Sequence, residues 1–364
     1  MSTVGKNILV APLDWGLGHT TRCTPVVQSL LRTGANVVLA GNERQHAVWS
    51  KTFPDLRRVY LEGYNISYSR GGTGLTVKLG VQIPKILKSI QREHTWLQEI
   101  IAHEQIAGVI SDNRYGLYSN HVPCVFITHQ LHIKTPLGWA VERLLQSINY
   151  RFINRFDSCW VPDYLTSPGL AGVLSHPYRL PEANTMYVGP LSRFDKCQHQ
   201  TTQGHLLIML SGPEPQRTVF EQLVLKQIKG FKATVVIVRG LPERTTLPAV
   251  DSNVTIYNYL DSEALQQEIC RADYVLCRSG YSSVMDIAMT GAKAIFVPTP
   301  GQTEQEYLAE MLMSVGFAPS CSQRAFDLEQ MLHKARAYQF KSHPYQPNEK
   351  LDEAVRMFLK TCGA

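Results

Sequence analysis

The fold is decided by one stretch of the chain, residues 275–308, which reads VLCRSGYSSVMDIAMTGAKAIFVPTPGQTEQEYL. An apolar strand, Tyr274 to Cys277, leads into the small-residue turn Arg278-Ser279-Gly280, and a short amphipathic helix follows. Gly291 ends that helix before a second apolar strand begins at Ala294. This order predicts a βαβ unit, and such small-residue turns bring backbone N–H groups and a helix N-terminus up to a phosphate.

Three polar side chains in this stretch are candidates for contacts with a nucleotide and a sugar. Asp286 lies one turn into the first helix, where a carboxylate can accept two hydrogen bonds from a ribose diol. Gln305 and Glu306 stand in the first turn of the next helix, where they can read sugar hydroxyls. The alternative is that Asp286 and Glu306 only complement helix dipoles and that Gln305 is solvated.

Length and composition limit the class of protein. A chain of 364 residues predicts two domains, and 44% hydrophobic with 18% charged residues is typical of globular proteins. No apolar run is long enough for a transmembrane helix, and the amino terminus does not resemble a signal peptide. The net charge of +6 suits an anionic ligand or membrane surface but is too diffuse to indicate nucleic acid. Eight cysteines without a CxxC pair indicate reduced, buried thiols in a cytoplasmic protein.

The amino-terminal segment predicts a second Rossmann-like half. A strand at Asn7 to Ala11 runs into a glycine-bearing turn, and Thr20 or Thr21 is expected to cap the helix that follows. The Gly16-x-Gly18 pair lacks the third glycine of a dinucleotide fingerprint, so no NAD site or other cofactor is expected. Residues 60–82, rich in Tyr, Gly and Ser, are predicted to form a mobile loop over a cleft.

His19 is the candidate general base, because a helix N-terminus keeps the imidazole neutral and ready to accept a proton. The alternative is that it only caps the helix or bonds a loop carbonyl. Asp112 and His129 follow other predicted strands and should share an edge with His19. Asp112 is either the residue that orients His19 or a rival base. His129 and His132 lack a carboxylate or cysteine to complete a metal site, so contacts to a substrate or structural hydrogen bonds are expected.

The run Val254 to Leu312 resembles the carboxyl-terminal domain of MurG-like glycosyltransferases, with matching spacing through Arg278-Ser279-Gly280 to Gln305. The resemblance implies an α/β, GT-B architecture of two Rossmann-like domains facing across a cleft. Residues 1–190 would form the acceptor-side domain, with a terminal helix at 349–364 packing back on it, and residues 204–340 the nucleotide-sugar domain. GLGHTTR partly resembles the family's GxGGH loop, which places Gly18 on the acceptor side.

The same resemblance implies a donor site in the second domain. Gly212 matches a family GGS loop, but Pro213 replaces the serine and removes a hydroxyl and an N–H donor, so Ser211 or Glu214 would compensate. VGPLSR resembles a hinge motif whose arginine, Arg193 here, would meet the diphosphate. Glu306 stands where relatives often carry glutamine, so the donor sugar is expected to differ from N-acetylglucosamine. The implied contacts are diphosphate to Arg193, Ser279, Gly280 and Ser282, base to Tyr259 and Leu260, ribose to Asp286, and sugar to Gln305 and Glu306. Arg278 is also expected to bind the donor.

The sequence therefore predicts an inverting glycosyltransferase that moves a sugar from a UDP-sugar to a small-molecule or lipid-linked acceptor. The chain has no Asp-x-Asp motif of the kind metal-dependent transferases use, so metal-free transfer is expected. The alternatives are a nucleotide-sugar hydrolase on the same fold and a non-catalytic nucleotide-sugar-binding protein. The helix predicted at 138–155 is either a core-facing helix with a basic outer face or a surface for anionic lipid. The second reading would place the protein peripherally at the inner face of the membrane.

Overall fold

The computed structural model describes residues 5–64, 75–198, 201–341 and 349–363, with the side chains of all of these except residues 75–83. The described chain divides into two compact units. The first comprises the residues up to Ser192 together with the terminal helix, and the second begins at Arg193 and continues to residue 341. Of the loop predicted at residues 60–82, residues 65–74 lie outside the described residues, and residues 75–82 are the beginning of a helix rather than part of a loop.

The first unit is a parallel sheet with helical connections. Its strands are β1 (Asn7–Pro12), β2 (Asn36–Gly41), β3 (Arg57–Tyr60), β4 (Ile106–Asp112), β5 (Cys124–Ile127), β6 (Ser158–Val161) and β7 (Asn184–Tyr187). Its helices are α1 (Leu17–Arg22), α2 (Thr24–Arg32), α3 (Glu43–Thr52), α4 (Leu75–His103), α5 (Trp139–Ile153) and, at the end of the chain, α11 (Glu349–Thr361).

The strand order in this sheet is β3-β2-β1-β4-β5-β6-β7, and every pairing is parallel. Strands such as β1 and β5 are apolar along nearly their whole length because both faces of a parallel sheet are covered. The chain reverses its direction of travel across the sheet between β1 and β4, whose last residues pair as Pro12 with Asp112. Ligands of open α/β sheets bind at the carboxyl ends of strands at such a switch point.

Helix α11 belongs to the first unit, where it packs against α2. Asp352 on α11 accepts hydrogen bonds from Ser29 Oγ at 2.5 Å and from Arg32 Nη2 at 2.7 Å. The apolar residues Leu351, Val355 and Leu359 are buried on the same helix. Both ends of the described chain therefore contribute to one unit.

The second unit repeats the same topology in five strands. They are β8 (His205–Met209), β9 (Thr234–Val238), β10 (Val254–Tyr257), β11 (Tyr274–Cys277) and β12 (Ala294–Phe296), in the all-parallel order β10-β9-β8-β11-β12. The helices are α6 (Gln216–Gln227), α7 (Ser262–Arg271), α8 (Tyr281–Thr290), α9 (Thr303–Ser314) and α10 (Leu328–Ala337). Here the switch point falls between β8 and β11.

Two expectations about local structure are wrong. The helix that Thr20 or Thr21 was expected to cap is α2, whose N-cap is Cys23, and both threonines lie within α1, which begins at Leu17 after Gly16 with a φ of 86°. Glycine adopts a positive φ without strain, so Gly16 allows helix α1 to begin at residue 17, before either threonine.

The second correction concerns the cysteines, because Cys197 and Cys270 form a disulfide rather than two thiols. The two residues are 73 positions apart in sequence but 5.3 Å apart at Cα, within the normal span of a disulfide. The bond fastens the segment after Arg193 to α7, a proximity that cysteine spacing does not reveal. The other six cysteines are free.

No helix within the described ranges is both long enough and apolar enough to cross a membrane.

Candidate active site

Three side chains converge at the switch point of the first sheet. Asp112 ends β4, and His19 and Arg22 lie on α1, which follows β1. Asp112 Oδ2 accepts from Arg22 Nε at 2.7 Å and lies 3.1 Å from His19 Nδ1, while Arg22 Nη2 donates to the second carboxylate oxygen. Asp112 and Arg22 are buried, and 17% of the His19 side chain is exposed. The arrangement is a buried ion pair with a partly accessible imidazole attached to it.

The protonation states of this cluster follow from its neighbours. Burial alone would raise the pKa of Asp112, but the charges of Arg22 and His19 outweigh it and hold that pKa well below its ordinary value. The carboxylate is therefore ionised and can only accept hydrogen bonds, so His19 Nδ1 carries the proton. Burial, followed by the charge of Arg22, lowers the pKa of His19 below 6.5 despite the opposing effect of Asp112. The imidazole is neutral at pH 7, with an Nε2 lone pair free to accept a proton.

This geometry favours the orienting role of Asp112 over that of a rival base. A buried carboxylate with a depressed pKa and a two-point bond to Arg22 is a weak base and a strong orienting group. Arg22 was not predicted. It stands three residues after His19 on the same helix, and that spacing could have indicated a shared face.

His129 and Gly18 lie at the same edge. His129 follows β5 and is buried, and a charge on it lowers the pKa of His19. Gly18 is in the first turn of α1, where its carbonyl accepts from Thr21 Oγ1 at 3.1 Å. Among the described residues, no group of three His, Cys, Asp or Glu side chains is placed to hold a metal ion.

The residues expected to bind the donor line the carboxyl edge of the second sheet. Ser211 and Gly212 follow β8, Tyr259 and Leu260 follow β10, and the turn Arg278-Ser279-Gly280 follows β11 at the switch point. Gln305 and Glu306 are in the first turn of α9, after β12. The sheet thus places them all at one edge.

Arg278 was expected to contact the donor, but its guanidinium is bonded to the protein itself. Its guanidinium is 1% exposed and donates to the carbonyls of Val297, Pro298 and Gln216 and to Oε1 of Gln323. Its Cζ lies 4.2 Å from the centre of the Phe220 ring, and burial lowers its pKa to about 10. The expectation of a direct donor contact is revised: Arg278 holds together the loops that surround the site.

Several other side chains that were predicted to contact the sugar donor also form hydrogen bonds within the loops. Ser279 Oγ donates to the Gln305 carbonyl at 2.8 Å, and Gln305 Oε1 accepts from Thr299 N at 2.9 Å. Glu306 Oε1 accepts from Gly301 N at 3.0 Å. Glu214, offered as a substitute for the missing serine, accepts from Arg217 Nε at 2.6 Å. These side chains shape the loops, and a ligand would have to share or replace their bonds.

The polar groups that remain available to a ligand at this edge are largely backbone N–H groups. Helix α8 starts after Gly280 with no side-chain cap, so the N–H groups of its first turn are not occupied by a capping side chain. Ser282 and Asp286 are half-buried on the same helix. Arg193 is half-buried over the Phe194 ring at 4.9 Å, and within the described chain its buried Nε has no hydrogen-bond partner. A helix end of this kind suits a phosphate group, and a guanidinium can bond phosphate oxygens.

Residues 216–360 match the glycosyltransferase family 28 C-terminal domain. An uncharacterized glycosyltransferase of Methanosarcina acetivorans is 24% identical over 333 residues, which cover 84% of this chain and 81% of that protein. These similarities support a MurG-like GT-B glycosyltransferase. A second relative is the UDP-N-acetylglucosamine–N-acetylmuramyl-(pentapeptide) pyrophosphoryl-undecaprenol N-acetylglucosamine transferase of Pasteurella multocida. It is 37% identical over 89 residues, which are 24% of this chain and 25% of that protein.

The fold of this glycosyltransferase is also that of solved relatives. The MurG crystal structure of Acinetobacter baumannii superposes with a TM-score of 0.52 at 12% identity, covering 98% of this chain and 95% of that one. The prediction of an α/β, GT-B glycosyltransferase is confirmed.

Proposed function

We propose that the enzyme transfers a sugar from a UDP-sugar to an acceptor hydroxyl, with inversion and without a metal ion. The observation that carries the proposal is the 3.1 Å contact between His19 Nδ1 and Asp112 Oδ2. It leaves a neutral, partly exposed imidazole whose Nε2 is the basic nitrogen, and a single displacement requires such a base.

The reaction uses the first unit to activate the acceptor. His19 Nε2 takes the proton of the acceptor hydroxyl as its oxygen forms a bond to the anomeric carbon and the bond to the diphosphate breaks. One displacement at that carbon inverts its configuration. Asp112 keeps Nδ1 protonated and stabilises the imidazolium that forms, and Arg22 fixes the carboxylate.

The second unit is proposed to hold the donor. The uncapped N-terminus of α8 and the guanidinium of Arg193 would carry the negative charge of the leaving diphosphate, the task that a divalent cation performs in other transferases. Tyr259 and Leu260 would face the base, and Asp286 the ribose. Uridine is supported by the Pasteurella multocida relative, whose name gives UDP-N-acetylglucosamine as its donor. Because Glu306 can only accept hydrogen bonds, we expect a different sugar.

A lipid-linked acceptor is supported by an exposed surface around α5. Leu137, Trp139, Leu144 and Ile148 are 43–75% exposed, and they alternate with exposed Arg143 and Arg151. The helix also has an inward side, where Glu142 bonds His132, Asn149 bonds the Gln130 carbonyl, and Tyr150 and Ile153 join the hydrophobic core. An outward face with both apolar and basic side chains suits an anionic lipid surface. Helix α5 is therefore core-facing on one side, and we propose that its exposed side contacts lipid.

The donor and the reaction are tested by incubating the enzyme with a panel of UDP-sugars, with and without a membrane lipid extract. The proposal predicts UDP release only when the extract is present, an inverted anomeric configuration in the product by NMR, and no loss of rate in EDTA. UDP release in water alone would make the protein a hydrolase. Loss of rate in EDTA would contradict metal-free transfer.

The membrane contact is tested separately by co-sedimentation with vesicles of phosphatidylglycerol and phosphatidylcholine. Replacing Trp139, Leu144 and Ile148 by serine should abolish binding to anionic vesicles. Leu247→Ser, at an equally exposed leucine of the second unit, is the matched control and should bind like the wild type. Equal binding by the triple variant would show that α5 is not the contact.

A further inference from the structure

Thr299 carries a buried hydroxyl that no contact of the described chain explains. The residue follows β12 and is 2% exposed, and its Oγ1 has no hydrogen-bond partner among the described residues. Its backbone N–H is bound to Gln305 Oε1 at 2.9 Å, so the loop that carries it is fixed. A buried hydroxyl without a partner costs stability, and its retention needs a reason.

The hydroxyl points toward the turn where the family's serine is missing. A Cβ atom placed on Gly212 would lie 3.6 Å from Thr299 Oγ1. Gly212 follows β8 and precedes Pro213, the residue that stands in place of the family serine. The chain therefore lacks a hydroxyl on one side of this turn and carries an unpartnered one on the other.

Thr299 is also close to the uncapped N-terminus of α8. Its N–H donates to Gln305 Oε1, and Gln305 Nε2 would lie 3.6 Å from a Cβ atom placed on Gly280, the residue before α8. A hydroxyl donor near the N–H groups of a helix start favours a ligand that offers acceptors only. Phosphate oxygens have that chemistry, whereas sugar hydroxyls would bring donors of their own.

We infer that Thr299 is a donor-binding residue whose hydroxyl donates to a phosphate oxygen of the nucleotide sugar, replacing the serine lost at Pro213. This inference rests on the proposed function, because it takes the ligand to be a nucleoside diphosphate. The turn at Gly212 has to shift for an oxygen to reach the hydroxyl. Glycine, with a φ of 101° here, is the residue type that permits such a shift.

The test compares binding of UDP to the wild type, Thr299→Val and Thr299→Ser by calorimetry and thermal melting. Valine keeps the shape of threonine but removes the hydroxyl, so the free variant should melt at the same temperature as the wild type or above it. Its dissociation constant for UDP should rise about tenfold, the usual effect of losing a hydrogen bond to a charged group. Serine should restore binding close to that of the wild type.

Thr290→Val is the matched control, because Thr290 is equally buried but its hydroxyl donates to the Asp286 carbonyl at 2.8 Å. It should not gain stability and should bind UDP like the wild type. If Thr299→Val does not fold, Thr299→Ala replaces it with the same expected loss of UDP affinity.

The outcomes separate the inference from the function on which it rests. Tight UDP binding by the wild type and equally tight binding by Thr299→Val would overturn the role of Thr299 alone. Absence of UDP binding by the wild type would overturn the proposed donor, and the inference with it.

Discussion

At the switch point of the first sheet, the charged side chains of Asp112 and Arg22 surround the partly exposed imidazole of His19. At the corresponding edge of the second sheet, the polar side chains of Arg278, Ser279 and Gln305 are bonded to the protein's own loops. The first unit therefore offers a reactive side chain, whereas the second offers a shaped backbone. The difference indicates that substitutions in the first unit act on the rate of the chemical step, and those in the second act on stability and donor affinity.

The largest effect is expected for His19→Ala. Removal of a general base should lower kcat on the order of 10²- to 10⁴-fold, while UDP binding changes less than twofold. Asp112→Asn should also lower kcat strongly, because an amide can hold the other tautomer of the ring. The measurement is product formation at saturating donor. His121→Ala, an exposed histidine of the same unit, is the control. A loss of UDP affinity equal to the loss of rate would erase the contrast between the units.

A smaller effect, on stability rather than rate, is expected for Arg278→Met. The substitution leaves three backbone carbonyls and the Gln323 amide oxygen without their donor, which should lower the free energy of unfolding of the second unit by about 3 kcal/mol. Urea denaturation measures it. Arg271→Met removes an arginine whose side chain is 58% exposed and should change stability by less than about 0.5 kcal/mol. Unchanged stability with lost donor binding would mean that Arg278 contacts the donor directly.

The sequence predicted the architecture well because its signals are local. Apolar strands such as Val275 to Cys277, glycine at 291 and the alternation of strands and helices are readable within short windows. Parallel strands bring their carboxyl ends to one edge of the sheet, and this is why the sequence alone predicts Asp112 near His19.

The remainder of the site depends on contacts between distant segments. Whether Arg278 faces a ligand or the carbonyls of Val297 and Gln216 is decided by packing around Phe220, and no neighbouring residue reports it. The pairing of Cys197 with Cys270 depends in the same way on the path of residues 193–198 along α7. Arg22 is the exception, since its spacing from His19 was available in the sequence.

The smallest effect is expected for Glu306→Gln, which tests how far side chains of the second unit read the sugar. Glu306 Oε1 already accepts from Gly301 N, and an amide oxygen can keep that bond while the new NH₂ adds donors. We expect the ratio of kcat/KM between UDP-N-acetylglucosamine and UDP-glucose to change by about tenfold or less, with stability unaltered. Gln198→Glu, an exposed position in the same unit, is the control. An unchanged ratio would show that Glu306 does not contact the sugar.

The central claim is that Asp112 holds a neutral His19 with its proton on Nδ1. It is tested most directly by nitrogen NMR of the ¹⁵N-histidine-labelled enzyme between pH 5 and 8, with His19→Ala used to assign the signal. We expect the Nδ1–H tautomer at pH 7 and a pKa of His19 below 6.5, so that the transfer rate falls as the pH drops through that pKa and is constant above it. An Nε2–H tautomer, or a ring still protonated at pH 7, would contradict it.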